Sequence, residues 1–386
     1  MRATFLWSVL LVLLAALSSG CGGGSTTPTP PPAPSCTPSS QPAIAYVLND
    51  SFPGTVSIYT VNSCTGALTP TAPPTVGTGA NAFGSEEMAV DPAGRFAYVA
   101  NLMSNAADEA TISMFTINSS GVLLPTTPAM VPTGFLPQGI GIDPSGKFVY
   151  TANSDDNTVS MFTINSSTGV LTPTNPPAVA AGRSPLSVTV GPSGKFAYAA
   201  NQTDGTISMY VIDSSTGVLT PTTPATVPAG GSPFGVTVDS SGKFAYVPNA
   251  YDPRNAVSQY TIDSVTGVLT PNTPSLVTAG NSPTSVAVDP SSKFAYVVNR
   301  QDNTVSMFTV DSRTGGLIPN TPATIATGQQ PFRIAIDPTG KFAYVTNQSS
   351  ATISIYTINK DGSLTAAGTA ATGADPVSVV VIGSRH

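Results

Sequence analysis

The chain has few charged residues and almost no histidine or tryptophan. Of its 386 residues 9% are charged, and the formal net charge is −6. Binding to a nucleic-acid backbone needs a concentrated basic face, so we expect no nucleic-acid partner. The single histidine, His386, is the last residue, and the single tryptophan is Trp7. These absences argue against Ser-His-Asp or Cys-His nucleophile systems and histidine-based metal sites, and no phosphate loop or dinucleotide fingerprint is present. We therefore expect no metal and no cofactor.

Cysteine is also scarce, with only Cys21, Cys36 and Cys64. Arg2, an apolar run from 5 to 17 and small residues before Cys21 are typical of an export signal, and the run is too short to span a membrane comfortably. Gly directly before Cys21 resembles a bacterial lipoprotein signal. That resemblance implies cleavage before Cys21 and lipid attachment to its sulfur, with ordinary secretory cleavage nearby as the alternative. Residues 1–20 are thus predicted to be a signal peptide.

Residues 21–42 are rich in Gly and Pro and show no apolar periodicity, which predicts an extended tether. Gly22 stands where Asp would retain a Gram-negative lipoprotein at the inner membrane, so the expected location is the outer membrane, facing the periplasm or the cell surface. The membrane would be contacted through the lipid only. In an oxidising compartment Cys36 and Cys64 are expected to pair in one disulfide that ties the tether to the first blade, since two cysteines without a histidine make a poor zinc site.

Residues 43–386 contain seven copies of one short phrase that ends in Asn. The copies are marked by Tyr46, Tyr98, Tyr150, Tyr198, Tyr246, Tyr296 and Tyr344, at spacings of 52, 52, 48, 48, 50 and 48 residues. A period near fifty built from short strand-like pieces is typical of a propeller with one repeat per blade. We predict an all-β, seven-bladed propeller with four antiparallel strands per blade.

Each repeat can be divided into strands from its alternation of apolar and small residues. In the sixth copy we predict strands at 285–288, 294–298 and 304–310 and a short outer strand at 316–318. The first copy lacks an innermost strand, whereas the C-terminus ends with an unpartnered one at 377–381. We predict that this C-terminal strand completes blade 1 and closes the ring, which removes two exposed sheet edges.

The phrase Tyr344-Val345-Thr346-Asn347 spells the name of the YVTN propeller repeat. From 43 to 382 the chain resembles the lactonase-like seven-bladed propellers, which include bacterial 6-phosphogluconolactonase-type proteins. The resemblance implies lactone hydrolysis that draws on Arg, Glu and His around the central channel. In this chain the only histidine is His386.

Charges that break the repeat are the candidate site residues. The first position of the innermost strand is small in five copies but is Glu87 and Arg333 in the other two. As catalytic candidates, Glu87 would act as general base on water, and Arg333 would hold a carboxylate or a developing oxyanion. The alternative is a structural ion pair between them. The same face is expected to carry Glu86 and the candidate ligand-binding residues Arg183, Arg300, Glu109, Asn101 and Asn347.

Three functions fit these features. The sequence favours a binding or interaction module for a protein, a glycan or a small carboxylate or lactone. The first alternative is a lactone hydrolase with its site at the channel mouth. The second is a structural envelope protein in which the mouth charges are inert.

Overall fold

The computed structural model describes residues 36–37, 39, 42–79, 84–102 and 110–383. The chain divides after Thr37, and the second unit runs from Pro38 to His386. The predicted signal peptide, most of the tether, the lipidation of Cys21 and the candidate Glu109 fall outside the described residues. Cys36 and Cys64 are both disulfide-bonded. In the part of the chain that the structure describes, no helix is long and apolar enough to cross a membrane.

The second unit consists of seven four-stranded antiparallel sheets, which confirms the predicted seven-bladed propeller. Strands are numbered in chain order. The innermost strands are β4 (Ser85–Val90), β8 (Pro137–Ile142), β12 (Pro185–Val190), β16 (Thr237–Val238), β20 (Pro283–Val288), β24 (Pro331–Ile336) and β28 (Pro376–Ile382). The second strands, which carry the repeated phrase, are β1 (Ala43–Asn49), β5 (Phe96–Asn101), β9 (Phe148–Asn153), β13 (Phe196–Asn201), β17 (Phe244–Pro248), β21 (Phe294–Asn299) and β25 (Phe342–Asn347).

The third strands are β2 (Thr55–Val61), β6 (Thr111–Ile117), β10 (Thr158–Ile164), β14 (Thr206–Ile212), β18 (Ala256–Ile262), β22 (Thr304–Val310) and β26 (Thr352–Ile358). The outer strands are β3 (Leu68–Gly77), β7 (Leu123–Pro132), β11 (Leu171–Ala180), β15 (Leu219–Pro228), β19 (Leu269–Thr278), β23 (Leu317–Ala326) and β27 (Leu364–Ala371). Each innermost strand contacts the innermost strands of both neighbouring blades. The ring of seven therefore surrounds the channel.

The hydrophobic core lies between the blades. Tyr98 and Met114 of blade 2, for example, pack in one cluster with Val149 and Phe162 of blade 3. Every residue of β5 is buried, because both faces of this strand are covered by a neighbouring blade. This is why the second strands lack the exposed polar rows of a sheet with one wet face.

The outer strands are longer than the sequence predicts. The prediction of a short strand at 316–318 was wrong, since β23 spans ten residues despite Pro319 and Pro322. Proline removes a ladder donor and is tolerated at a sheet edge, where its missing N–H would face solvent. Prolines on this edge also discourage pairing with another chain.

The tyrosine of each repeated phrase ties its blade to the next one. The Tyr98 hydroxyl donates to the Gly169 carbonyl at 2.8 Å, and equivalent bonds occur at all seven blade boundaries, from Tyr46 to Tyr344. Gly169 adopts a φ of 74°, and a Cβ there would lie 2.4 Å from the Phe96 ring. Only glycine meets both requirements at this turn.

The ring closes as predicted, with β28 as the innermost strand of blade 1. It pairs with β1 in antiparallel register, with Val379 opposite Val47. Tyr344 of blade 7 donates to the Gly66 carbonyl of blade 1 at 2.9 Å and completes the set of ties between blades. Terminal strands of the propeller thus share one sheet.

Candidate functional site

The innermost strands enclose a cavity of about 320 Å³. Six of the seven strands contribute lining residues, and most of these are small or β-branched. Glu87 of β4 and Arg333 of β24 are the charged residues of the lining. They lie in blades 2 and 7, with only blade 1 between them. The two repeat-breaking charges therefore lie together at the channel.

Glu87 and Arg333 form an ion pair, with 3.5 Å between Arg333 Nη2 and Glu87 Oε1. Both side chains are largely buried, at 16% exposed for Arg333 and 22% for Glu87. The Ile140 N–H of the adjacent blade donates to Glu87 Oε2 at 3.1 Å. Both carboxylate oxygens of Glu87 therefore have a partner, the Arg333 guanidinium for Oε1 and the Ile140 N–H for Oε2.

Two aromatic rings also contact the Arg333 guanidinium. Its Cζ lies 5.5 Å from the centre of the Phe234 ring and 5.7 Å from that of Phe332. The two rings meet edge to face, with centroids 5.5 Å apart. Arg333 Nε is buried and has no hydrogen-bond partner among the described residues. The guanidinium is therefore positioned by stacking and by one carboxylate, with hydrogen-bonding capacity left over.

A bulge at the start of β4 contains a second carboxylate, Glu86, which precedes Glu87 in the chain but is not among the residues that line the cavity. The ladder to β5 shifts register between Ser85 and Glu87, so Glu86 is an extra residue opposite the partner strand. Burial raises the pKa of Glu86 to about 7, and repulsion from Asp50 adds to this, whereas Arg333 opposes it. Burial also raises the pKa of Glu87, and Arg333 and the Ile140 N–H oppose the shift. A carboxyl with a pKa near 7 can exchange a proton at neutral pH.

Sequence reasoning placed Glu86 on this face but gave it no chemical role. Two adjacent glutamates in a chain with few charges were the available signal. The burial that shifts the Glu86 pKa arises from the ring of blades, and the sequence of one repeat does not contain it.

Ser187 and Gly235 also line the cavity and were missed. Ser187 is 5% exposed, and its Oγ has no hydrogen-bond partner in the described part of the chain. A Cβ on Gly235 would lie 3.7 Å from Arg333 Nη1 and 3.8 Å from Ser187 Oγ. These distances are ordinary contacts, so the missing side chain leaves usable space beside both polar groups. Gly139 differs, since a Cβ there would lie 2.6 Å from Ser187 Cα, and packing alone requires glycine.

The wall of the cavity is irregular in blade 5. Its innermost strand, β16, has two residues, whereas the innermost strands of the other blades have six or seven. Pro248 of β17 lines the cavity and has no N–H to donate to this strand. An isolated bridge between Pro233 and Asn249 is the remaining contact at the start of the strand. Backbone groups around Gly235 are consequently released from the ladder at the cavity wall.

The other predicted ligand-binding residues lie elsewhere. Arg183 is exposed and pairs with Asp204 at 2.6 Å. Asn101 and Asn347 are fully buried, and their amides donate to Ser113 at 2.8 Å and Ser354 at 2.9 Å within their own blades. These bonds join the second and third strands, so the motif asparagines are part of the scaffold. Arg300 lines a separate cavity.

Among the described residues, no group of three or more His, Cys, Asp or Glu side chains could hold a metal ion. The cavity itself offers Glu87 with an arginine beside it, and a cation at that position would be repelled by Arg333.

By fold and site, the chain is a closed seven-bladed β-propeller with an acid–arginine cavity among its innermost strands. Its sequence matches the family described as "Lactonase, 7-bladed beta-propeller" over residues 38–189, 173–276 and 270–381. These ranges cover most of the chain, which therefore belongs to that lactonase family. The resemblance drawn from the repeated phrase is confirmed.

Solved structures with the same fold include two bacterial proteins of similar length. A putative 6-phosphogluconolactonase from Bacteroides fragilis is 22% identical, covers 90% of this chain and 100% of its own, and superposes with a TM-score of 0.72. The periplasmic gluconolactonase of Pseudomonas aeruginosa is 18% identical, with 89% and 99% covered and a TM-score of 0.71. Identities this low establish the shared fold alone. No curated protein matches the chain in sequence.

Proposed function

We propose that the protein hydrolyses a small lactone in the cavity of the innermost strands. The observation that carries the proposal is the Glu87–Arg333 ion pair in the cavity lining, with Glu86 adjacent in the chain and close enough for the Arg333 charge to lower its pKa. Membership of the lactonase family supports it, as do structural neighbours described as gluconolactonases. A cavity of about 320 Å³ lies at the small end of ligand sites, which fits a monosaccharide-sized substrate.

In the proposed reaction, Glu86 removes a proton from water as the oxygen of that water adds to the lactone carbonyl carbon. The carbonyl oxygen becomes an oxyanion, and the positive charge of Arg333 stabilises it. Collapse of this intermediate restores the carbonyl and breaks the ring C–O bond. The departing ring oxygen takes the proton that Glu86 removed from water, which returns Glu86 to its carboxylate form, and the product is an open-chain hydroxy acid.

Glu87 has a different part in this scheme from the one the sequence suggested. Both of its oxygens are engaged, by Arg333 and by the Ile140 N–H, so it is poorly placed to take a proton from water. We assign it to positioning Arg333. Glu86, whose pKa lies at about 7, is the general base. A base of this kind contributes roughly 10²- to 10⁴-fold to a rate.

The test is turnover of glucono-1,5-lactone and 6-phosphogluconolactone, followed by acid release in a pH-stat. We expect Glu86→Gln to lower kcat by about 10² or more. Arg333→Gln should lower kcat to a similar degree through loss of the oxyanion partner. The matched control is Arg183→Gln, which removes an exposed arginine from the same loop face and should leave turnover unchanged. Turnover that survives both the Glu86 and the Arg333 substitutions, or no turnover by the parent chain, would refute the proposal.

A binding role is the second candidate, favoured by the ion pair itself. Arg333 is held by Glu87 and two aromatic rings, and such a rigid cation suits retention of a carboxylate as well as catalysis. If the chain binds gluconate through Arg333 yet hydrolyses no lactone, the site is a receptor for sugar acids.

We also propose that the protein is exported and anchored by lipid on Cys21. The N-terminal apolar run, the small residues before this cysteine and the proline-rich segment after it support the proposal. Labelling with a radioactive fatty acid should mark the parent chain and not Cys21→Ser. Equal labelling of the two would contradict lipid attachment at this residue.

A further inference from the structure

A second cavity, of about 440 Å³, lies on the same loop face as the start of β24. It is formed by the loops that follow the second strands of blades 5 to 7 and those that precede the innermost strands of blades 6 and 7. The side chains used in the argument below are Tyr251, Ser282, Arg300, Gln301, Gln329 and Gln330. None of them lines the lactone cavity.

Among the described residues, Arg300 and Arg313 are the arginines without an ion pair, and Arg313 is exposed in the turn between β22 and β23. The position after the motif asparagine is Asp50, Leu102, Ser154, Gln202, Ala250, Arg300 and Gln348 around the ring, so one repeat alone carries a cation there. Arg95, Arg183, Arg254 and Arg333 each have a carboxylate within 4 Å. No described carboxylate lies that close to Arg300. Its charge is therefore not neutralised by an ion pair within the described chain.

The Arg300 side chain is nevertheless held in place. Its Nη2 donates to Gln348 Oε1 at 2.8 Å, and its Cζ lies 5.4 Å from the centre of the Phe332 ring. Nε is buried and has no hydrogen-bond partner among the described residues. A fixed guanidinium with unused donors is suited to bind a planar carboxylate.

Nearby acidic side chains do not supply that carboxylate. Both oxygens of Asp302 accept hydrogen bonds at 2.7 Å, from the backbone N–H and from the side-chain amide of Asn281. In the next blade the equivalent loop uses Ser350, whose Oγ accepts from the Gln329 N–H at 2.7 Å. Arg300 is the charged residue among those that line the cavity.

The remaining lining has the chemistry that recognises sugars. Eleven of the twelve tyrosines are buried, whereas Tyr251 is 59% exposed at the edge of this cavity. An exposed aromatic ring offers an apolar face against which a sugar ring can pack. Gln301, Gln329 and Gln330 add amide groups that can both donate to and accept from hydroxyls, and Ser282 adds a hydroxyl.

We propose that this cavity binds an acidic saccharide. The sugar carboxylate would lie on Arg300, the hydroxyls on the glutamine amides, and the ring against Tyr251. The site is adjacent to the lactone cavity, because the Arg300 and Arg333 guanidinium groups both lie within 6 Å of the Phe332 ring. It does not depend on lactone hydrolysis, since the two cavities share no lining residue.

The test is calorimetric titration of the full chain with D-glucuronate, D-glucose and inorganic phosphate as separate probes. We expect glucuronate to bind, and Arg300→Gln to weaken it by at least about tenfold through loss of a charge-assisted hydrogen bond. Arg300→Lys should retain part of the affinity, because the charge remains while the planar fork is lost. Tyr251→Ala should also weaken binding, and the control Arg183→Gln should not.

Four results would overturn the proposal. No glucuronate binding at millimolar concentration would do so, as would equal affinity for glucuronate and glucose. Phosphate binding as tight as that of glucuronate, with no effect of Tyr251→Ala, would reduce the site to one for anions of any kind. Loss of glucuronate binding in Arg333→Gln but not in Arg300→Gln would place the ligand in the lactone cavity.

Discussion

The carboxyl of Glu86 should make the stability of the propeller depend on pH in a predictable direction. Its pKa is raised from 4.5 to about 7, first by burial and then by repulsion from Asp50. In the unfolded chain the carboxyl returns to its ordinary pKa. Between these two values the folded chain retains a proton that the unfolded chain has released. The free energy of unfolding therefore falls as the pH rises through this window.

The size of the effect follows from the difference between the two pKa values. Each unit corresponds to about 1.4 kcal/mol, so a rise from 4.5 to about 7 amounts to roughly 3 kcal/mol once the pH exceeds both values. Substitution of Glu86 by Gln keeps the size of the side chain and removes the ionisation. Relative to the parent chain, Glu86→Gln should gain about 3 kcal/mol of stability between pH 4.5 and pH 8.

Urea unfolding followed by circular dichroism at several pH values between about 4.5 and 8 measures this difference. Asp50→Asn provides an independent check, because removal of the neighbouring negative charge should lower the Glu86 pKa and move the loss of stability to lower pH. Parallel stability curves for the parent chain and Glu86→Gln would show that this carboxyl is not buried as described. The same result would contradict the assignment of Glu86 as the general base, because that assignment depends on its raised pKa.

Three further predictions concern the ring and its cavity. Tyr98→Phe should lower the free energy of unfolding in urea by about 1–3 kcal/mol, because the buried Gly169 carbonyl of the next blade loses its donor. The exposed control Tyr251→Phe should leave it unchanged, and equal effects of the two substitutions would contradict this. Truncation after Asp375 removes β28 and exposes the edge of β1, so the truncated chain should elute as aggregates in gel filtration. A truncated monomer with an unchanged melting temperature would contradict the conclusion that β28 closes the ring. Gly235→Ala should lower lactone turnover with little loss of stability, because the added Cβ makes ordinary contacts beside Arg333. Gly139→Ala should destabilise the fold, because its Cβ would overlap the Ser187 backbone, and an equal fall in the melting temperatures of the two variants would contradict this difference.

The repeats made the architecture predictable. Seven copies at an even spacing gave the blade number, and the missing innermost strand of the first copy gave the closure by β28. Glu87 and Arg333 were found because charge at a position that is otherwise small stands out against the other copies. That method detects exceptional residues only.

The same method could not find Ser187 or Gly235, since small residues are the rule at that position. Ser285 has the same residue type and place in its repeat as Ser187, yet its Oγ accepts from the Ile334 N–H at 3.4 Å. Only the placement of neighbouring blades separates a satisfied serine from an unsatisfied one. The outer strands were underestimated for another reason, because their prolines oppose an internal strand but are compatible with an edge.

The pairing of β28 with β1 also determines when the molecule can finish folding. Blades 2 to 7 are each contained in one continuous stretch of chain, so each can assemble as it is synthesised. Blade 1 cannot, because Val47 of β1 pairs with Val379 of β28, which is synthesised more than 300 residues later. Until then its sheet has an open edge, and the growing chain is a curved stack of blades rather than a ring. Contacts so distant in sequence are slow to form and leave surfaces exposed to other chains meanwhile. Synthesis of β28 therefore determines when the open edge of β1 can be covered and pairing with other chains at that edge can end.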